Sequence, residues 1–265
     1  MTMRPLPAAD LVLLHDLWDE LAAGDTLTPE RWATLNDLQP RFAAALDVAG
    51  LGPSNAFEPF ALIRDGADAP PLIGPRWWFH LLGLRHGAAH VILLTPQGWF
   101  IAQRRSRLKD DAPGAIDVAV TGHSGTDDPL AGAWRELAEE VGLGPARDGA
   151  PPSLVGDALT YFCTYDVADM SLHEENLPTI NRERLTVYHA QLTAEGMARL
   201  RFADDEVTSL LLLGPDDARL LAERCTRDEI RSPGELDLAL GIRGTLPRWI
   251  AAHDDSHAWS NRQLA

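Results

Sequence analysis

A layered α/β fold is what this sequence predicts, on three observations. Apolar runs of strand length, such as Val91-Ile92-Leu93-Leu94, alternate along the chain with segments of helical periodicity. A Pro96-Gln97-Gly98 turn joins that run to Trp99-Phe100-Ile101-Ala102-Gln103, which reads as a strand hairpin. A helical segment from Pro129 to Val141 follows, closed by Gly142. The chain has 265 residues, 45% apolar and 23% charged, enough for one large domain or two small ones.

In chain order, Leu11, Leu14, Leu17 and Leu21 lie at helical spacing between Ala8 and Gly24, and Thr28-Pro29-Glu30 opens a second helical pattern to about Val48. Segments Ala56 to Arg64 and Pro71 to Leu84 read as short strands or irregular structure around a turn-rich stretch, Asp65 to Pro71. Residues 1–84 are thus expected to be a mainly helical accessory region, 85–225 the principal domain and 226–265 a short helical tail. Within the principal domain, strands are expected at Ala158 to Val167, Leu185 to Leu192 and Val207 to Leu213, and a helix at Pro215 to Arg224. The tail begins with a helix at Glu235 to Leu240, and Gly149 to Pro152 and Asp166 to Pro178 read as loops. The apolar Trp77-Trp78-Phe79 needs cover, so the accessory region is expected to shape a pocket or form a homodimer contact.

With 39 acidic and 23 basic residues the formal net charge is -16, which argues against capture of nucleic acid or of anionic membrane surfaces. An anionic substrate must then meet a local basic patch or a bound cation. No run of about 20 apolar residues is present, and Met1 to Ala22 is unlike a signal peptide, so a cytoplasmic location is expected. Cys163 and Cys225 lack zinc-site or disulfide spacing and read as reduced, packed thiols.

The chemistry concentrates around the central helix. Asp128 is placed to cap it, Pro129 to open it and Gly142 to stop it. Glu136, Glu139 and Glu140 stand at i, i+3 and i+4, so three carboxylates project from one side within a single turn. Packed anions repel, and a hard divalent cation held between them and substrate phosphates relieves that repulsion. The residues alone leave a second reading open, a solvated acidic helix in which Arg135 pairs with Glu139.

Gly122 together with Arg135-Glu136-Leu137-x-Glu139-Glu140-x-Gly142-Leu143, in a strand-loop-helix context, resembles the signature of the Nudix hydrolases. Between the glycine and the arginine the chain is one residue shorter than the family pattern, with Asp127 or Asp128 in place of its upstream glutamate. The likeness extends from about residue 86 to 215. His86-x-x-x-His90-Val91-Ile92-Leu93, Gln103-Arg104-Arg105-Ser106-x-x-Lys109, Pro113-Gly114-x-x-Asp117 and Gly122-His123 are similar to the branch that holds isopentenyl diphosphate isomerases and related hydrolases.

The resemblance implies an α/β/α sandwich with a mixed sheet, Mg²⁺ or Mn²⁺ on Glu136, Glu139 and Glu140, and hydrolysis of a small-molecule diphosphate of nucleoside or other organic type. Arg135 belongs to the implied catalytic set, and Glu139, Glu140 or Glu183 is the expected general base. Arg104, Arg105, Lys109, Gly122 and His123 are the expected substrate contacts. Lys109 is the sole lysine among 23 basic residues, which suggests a point charge for a phosphate, with the two arginines as forks. The bland alternative is a solvated strand end. Two other functions compete: an isoprenoid diphosphate isomerase, and a catalytically silent Nudix-fold ligand-binding protein. Isomerases of the branch carry a cysteine where this chain has Thr121 and a glutamate pair where it has Asn181 and Glu183, so hydrolysis is expected.

Overall fold

The computed structural model describes residues 13, 16, 28–31, 33, 34, 37, 58–63, 73–76, 79, 80, 83–107, 112–126, 128–146, 150–171, 179–202, 206–226 and 237–253. Lys109, Asp127, Trp77, Trp78 and most of the expected amino-terminal helical pair lie outside them; of that pair, Leu13, Asp16 and the described residues between 29 and 37 are helical. The chain forms two compact units, Met1–His86 with Ala168–Glu183 and Gly87–Val167 with Arg184–Ala265.

In the first unit, β1 (Pro59–Ala61) and β2 (Ile73–Pro75) form an antiparallel pair in which Phe60 faces Gly74. Phe60 and Phe79 are fully buried and meet edge to face at 5.5 Å between ring centroids. That is a favourable aromatic geometry.

The larger sheet has seven strands: β3 (His86–Leu94), β4 (Phe100–Arg105), β5 (Ile116–Val118), β6 (Val120–His123), β7 (Thr160–Ser171), β8 (Thr179–Gln191) and β9 (Val207–Leu213). Their order is β5-β4-β3-β8-β7, with β6 added to β3 and β9 to β4. The expected hairpin forms: Leu93 and Leu94 pair with Ile101 and Phe100. Beyond those two pairs β3 turns to β6, matching His90 with Thr121 and Ala89 with Gly122. β6 thereby brings Gly122 beneath Glu136 in the middle of the next helix.

Helices α1 (Pro129–Val141), α2 (Ala194–Arg199), α3 (Pro215–Cys225) and α4 (Leu240–His253) and a 3₁₀ turn at Val155–Asp157 complete the described elements. Side chains alternate across β3, so its two faces serve two cores. On one face, Ala89, Val91 and Leu93 pack with Ala133, Leu137 and Val141 of α1. On the other, Ile92 packs with Phe100 and Val118 and with Ala218, Leu221, Ile242, Leu246 and Trp249 of α3 and α4. The second unit is therefore a three-layer α/β/α arrangement, the fold class expected. Leu137 is fully buried, and truncating it to alanine costs about 2–5 kcal/mol.

Three expectations change. Of the tail helix expected at Glu235 to Leu240, the described residues 237–239 are not helical, and the helix runs Leu240–His253. Gly241, Gly244 and Pro247 look like breakers, yet Ile242, Leu246 and Trp249 recur at helical spacing and are buried, so tertiary packing overrides the local penalty. Strand β7 continues to Ser171, into the segment Asp166 to Pro178 expected as a loop, whose residues 172–178 lie outside the described ones. β5, β6 and α2 had no clear periodic signal; strands of three and four residues are too short to show one.

The start of α4 is fixed from below. Ile116 N–H donates to Asp237 O at 2.8 Å, and Ala239 N–H donates to Ile116 O at 2.9 Å. Gly241 then lies so close to β3 and β5 that a Cβ there would meet Asp117 Oδ1 at 2.5 Å and His90 Cε1 at 2.6 Å. Asp117 is buried, accepts from the backbone of Val118 and Ile242, and pairs with Arg105 Nη1 at 3.6 Å. Burial pushes its carboxyl above the usual range, against the opposing pull of Arg105 and His90. Among the described residues no helix is long and apolar enough to cross a membrane.

Candidate functional site

Helix α1 begins and ends as its sequence dictates. Asp128 Oδ1 accepts from the N–H groups of Leu130 and Ala131 at 2.9 and 3.1 Å. Capping of this kind stabilises a helix by about 1 kcal/mol. Gly142 closes it in the left-handed region, φ 70°, a conformation glycine reaches without a Cβ penalty. With both ends fixed and the Ala133, Leu137 and Val141 stripe against the sheet, the glutamates acquire three different surroundings.

Glu136 and Glu140 are buried, whereas the Glu139 side chain is 53% exposed. The carboxylate of Glu136 lies directly against the backbone of Gly122: a Cβ at that glycine would overlap its carboxyl carbon and both oxygens. Only glycine permits this approach. Glu140 Oε2 accepts the Thr121 N–H at 3.0 Å and the Gln103 Nε2–H at 3.4 Å. Consecutive residues of β6 therefore seat two buried carboxylates, one by leaving space and one by donating.

Arg135 ties the same helix to the strand. Its Nη1 lies 2.7 Å from Glu136 Oε1 and 3.2 Å from Glu139 Oε2, and its Nη2 donates to the His123 carbonyl at 2.6 Å. The i+4 pairing foreseen for a solvated helix is present, but Glu136 and Glu140 are not solvated. Arg105 Nη1 reaches Thr121 Oγ1 at 3.4 Å besides its ion pair with Asp117. Arg104 is partly exposed at the end of β4. Of the expected substrate contacts, Gly122 and His123 stand with the glutamates, Arg105 is buried with its charge on Asp117, and Lys109 is outside the described residues.

The donor set fits a magnesium or manganese ion. All its members are hard carboxylate oxygens, the group such ions prefer. The Gly122 cradle, which a Cβ would fill, keeps Glu136 at the strand rather than in solvent.

Glu183 belongs to the first unit, near the carboxyl end of its second segment. It is 8% exposed, accepts from Asn181 Nδ2 at 2.7 Å, and lies 3.9 Å from His86 Nε2. His86 Nδ1 is 2.9 Å from Leu84 O, and its ring stacks on Phe60 at 4.8 Å with His80 at 5.1 Å. Burial holds its imidazole below the ordinary range, opposed by Glu183.

Sequence reading missed Gln103 and the Thr121 N–H as partners of Glu140. A glutamine inside the apolar run of β4 was the available signal for the first; a backbone donor has none.

No protein-family model matches the chain, and no curated protein matches it in sequence. Solved structures resemble it in part. DR0079 from Deinococcus radiodurans is 19% identical, with 72% of this chain and 98% of that chain covered and a TM-score of 0.45. A MutT protein from Methanosarcina mazei Go1 is 14% identical over 64% and 95% of the two chains, with a TM-score of 0.40. A MutT NUDIX hydrolase from Burkholderia pseudomallei is 16% identical over 62% and 97%, with a TM-score of 0.38.

Proposed function

We propose that the chain is a Nudix-type, divalent-metal-dependent hydrolase of a small-molecule organic diphosphate. One observation carries the reading: β6 seats two buried glutamates of α1 side by side, Glu136 against Gly122 and Glu140 on the Thr121 N–H, with Glu139 exposed one turn away. Burying two carboxylates is costly without a compensating cation. Arg135 supplies one positive charge at Glu136; a bound Mg²⁺ or Mn²⁺ would add positive charge among the carboxylates, neutralise the diphosphate and acidify a water.

Around that chemistry the chain's own groups divide the work. Glu136 and Glu140 are assigned as ligands held in place before substrate arrives. Glu139, more than half exposed, completes the ligand set and can exchange a proton with solvent, which suits a general base. Glu140 and Glu183 are the other carboxylates considered for that role. Arg104 and Lys109 are assigned to the substrate phosphates, and Arg135 fixes the helix to the strand. The test is a panel of nucleoside diphosphate sugars, dinucleotides, nucleoside triphosphates and prenyl diphosphates with Mg²⁺ or Mn²⁺, following both phosphate release and isomer formation. Hydrolysis of at least one compound, dependent on metal, is expected. Absence of hydrolysis across the panel together with absence of Mn²⁺ binding refutes the proposal.

A further inference from the structure

Gln103 sits in the middle of β4 and is 1% exposed. Leaving a polar group of a buried side chain without a partner is costly, so an unused amide group inside a strand calls for an explanation. Its Nε2 donates to Glu140 Oε2 at 3.4 Å. Its Oε1 is buried and accepts no hydrogen bond from any described residue. Turning the amide over would set Oε1 against the carboxylate, acceptor facing acceptor, so the observed sense is the favourable one.

The two polar atoms of an amide are about 2.3 Å apart from standard bond lengths. Oε1 therefore lies within about 6 Å of Glu140 Oε2, given the 3.4 Å contact of Nε2. A Mg²⁺-sized ion sits about 2.1 Å from a carboxylate oxygen and keeps several of its waters. A water on such an ion would offer an O–H donor to an amide oxygen that has none among the described residues. A neutral amide also adds no charge to the three carboxylates, as a glutamate at the same place would.

We propose that Gln103 is a positioning residue of the metal site, its Nε2 orienting Glu140 as a ligand and its Oε1 accepting a hydrogen bond from a metal-bound water. This rests on the reading of the α1 glutamates as ligands. Partners of this kind, one step behind a metal ligand, typically contribute 10–100-fold in metal affinity.

The experiment uses the full chain and Mn²⁺ alone. Free Mn²⁺ is followed by electron paramagnetic resonance, and bound water by proton relaxation, for wild type, Gln103→Met, Gln103→Asn and Glu139→Gln. Gln103→Met is expected to bind Mn²⁺ about 10–100-fold more weakly and to alter the bound-water relaxation. Its metal-free thermal midpoint should change little, because the loss of a long 3.4 Å donor bond to Glu140 is offset by removal of a buried carbonyl without a donor. Gln103→Asn keeps the amide but withdraws it by one methylene, and should also lose affinity. Wild-type Mn²⁺ affinity in both Gln103 variants, with Glu139→Gln weakened, overturns the inference and leaves the metal reading standing. A lowered metal-free midpoint with unchanged affinity, or loss of the fold in Gln103→Met, assigns the residue to structure and overturns it too. Failure of the wild type to bind Mn²⁺ overturns the inference, and together with absence of hydrolysis across the substrate panel it overturns the hydrolase reading too.

Discussion

Gly122→Ala is the sharpest perturbation of the site, because it adds one methyl group and changes no charge. The new Cβ would coincide with the carboxyl group of Glu136, whereas ordinary van der Waals contact begins at 3.4 Å. The carboxylate must retreat by roughly 1 Å or more, and misplacement on that scale costs about a hundredfold in rate. Glu136 cannot swing away freely, since Arg135 Nη1 holds its Oε1 at 2.7 Å. The strand itself is locked by pairing of Gly122 with Ala89. The expected result is a hundredfold or greater fall in kcat and a weaker Mn²⁺ affinity, read by product release and by titration of free Mn²⁺. Gly144→Ala serves as the control, since nothing lies within 4 Å of a Cβ there and the change is sterically neutral. A Gly122→Ala protein with wild-type turnover and metal affinity would refute the cradle argument.

Other outcomes follow from the same geometry. Glu139→Gln should lower kcat about a hundredfold, the scale of lost charge stabilisation, and wild-type turnover at saturating metal would remove it from the ligand set. Arg104→Ala should raise KM more than it changes Mn²⁺ affinity, and unchanged kinetics would return Arg104 to the solvated surface. Isopentenyl and dimethylallyl diphosphates should not interconvert with Mg²⁺ present, because Thr121 offers no thiol and Asn181 no carboxylate; NMR detection of the isomer would overturn this. His86 is held below its ordinary 6.5, so as pH falls below about 6.5 the unfolded chain binds a proton that the folded one resists, and stability declines. The thermal midpoint should therefore drop more between pH 7 and 5.5 in wild type than in His86→Asn, and equal slopes would refute it. Burial pushes the Cys225 thiol up to about 11, so it should resist a thiol reagent at pH 8 in the native state, and prompt labelling would show that the helix opens.

Much of this arrangement was legible in the residues. Asp128, Pro129 and Gly142 mark both ends of α1 because caps are local chemistry, and the hairpin at Gly98 is local in the same sense. The glutamate spacing was legible, but their unequal burial was not: it depends on how β6 runs beneath α1, which no periodicity in four residues records. Arg105 looked like a free cation beside Arg104. Its pairing with Asp117 joins residues that only strand register brings together. The tail helix was obscured by Gly241, whose role as a close-approach position is visible only when Asp117 and His90 are underneath it.

That close approach has a consequence for how the protein is made. A chain emerges from the ribosome amino end first, and its early segments begin to organise before the late ones exist. The sheet face formed by Ile92, Phe100 and Val118 is covered by α3 and by Ile242, Leu246 and Trp249 of α4. Until residue 253 or so has been synthesised, the part of that face under α4 lacks its cover and Asp117 lacks the backbone donor of Ile242. The glutamates of α1 are translated about a hundred residues earlier, yet Arg105, which touches the strand that seats them, is anchored by an aspartate still waiting for its last partner. Nascent chains stalled before α4 should therefore attract chaperones and lack metal affinity, so that maturation of the site is timed by the synthesis of a helix that contributes no chemistry to it.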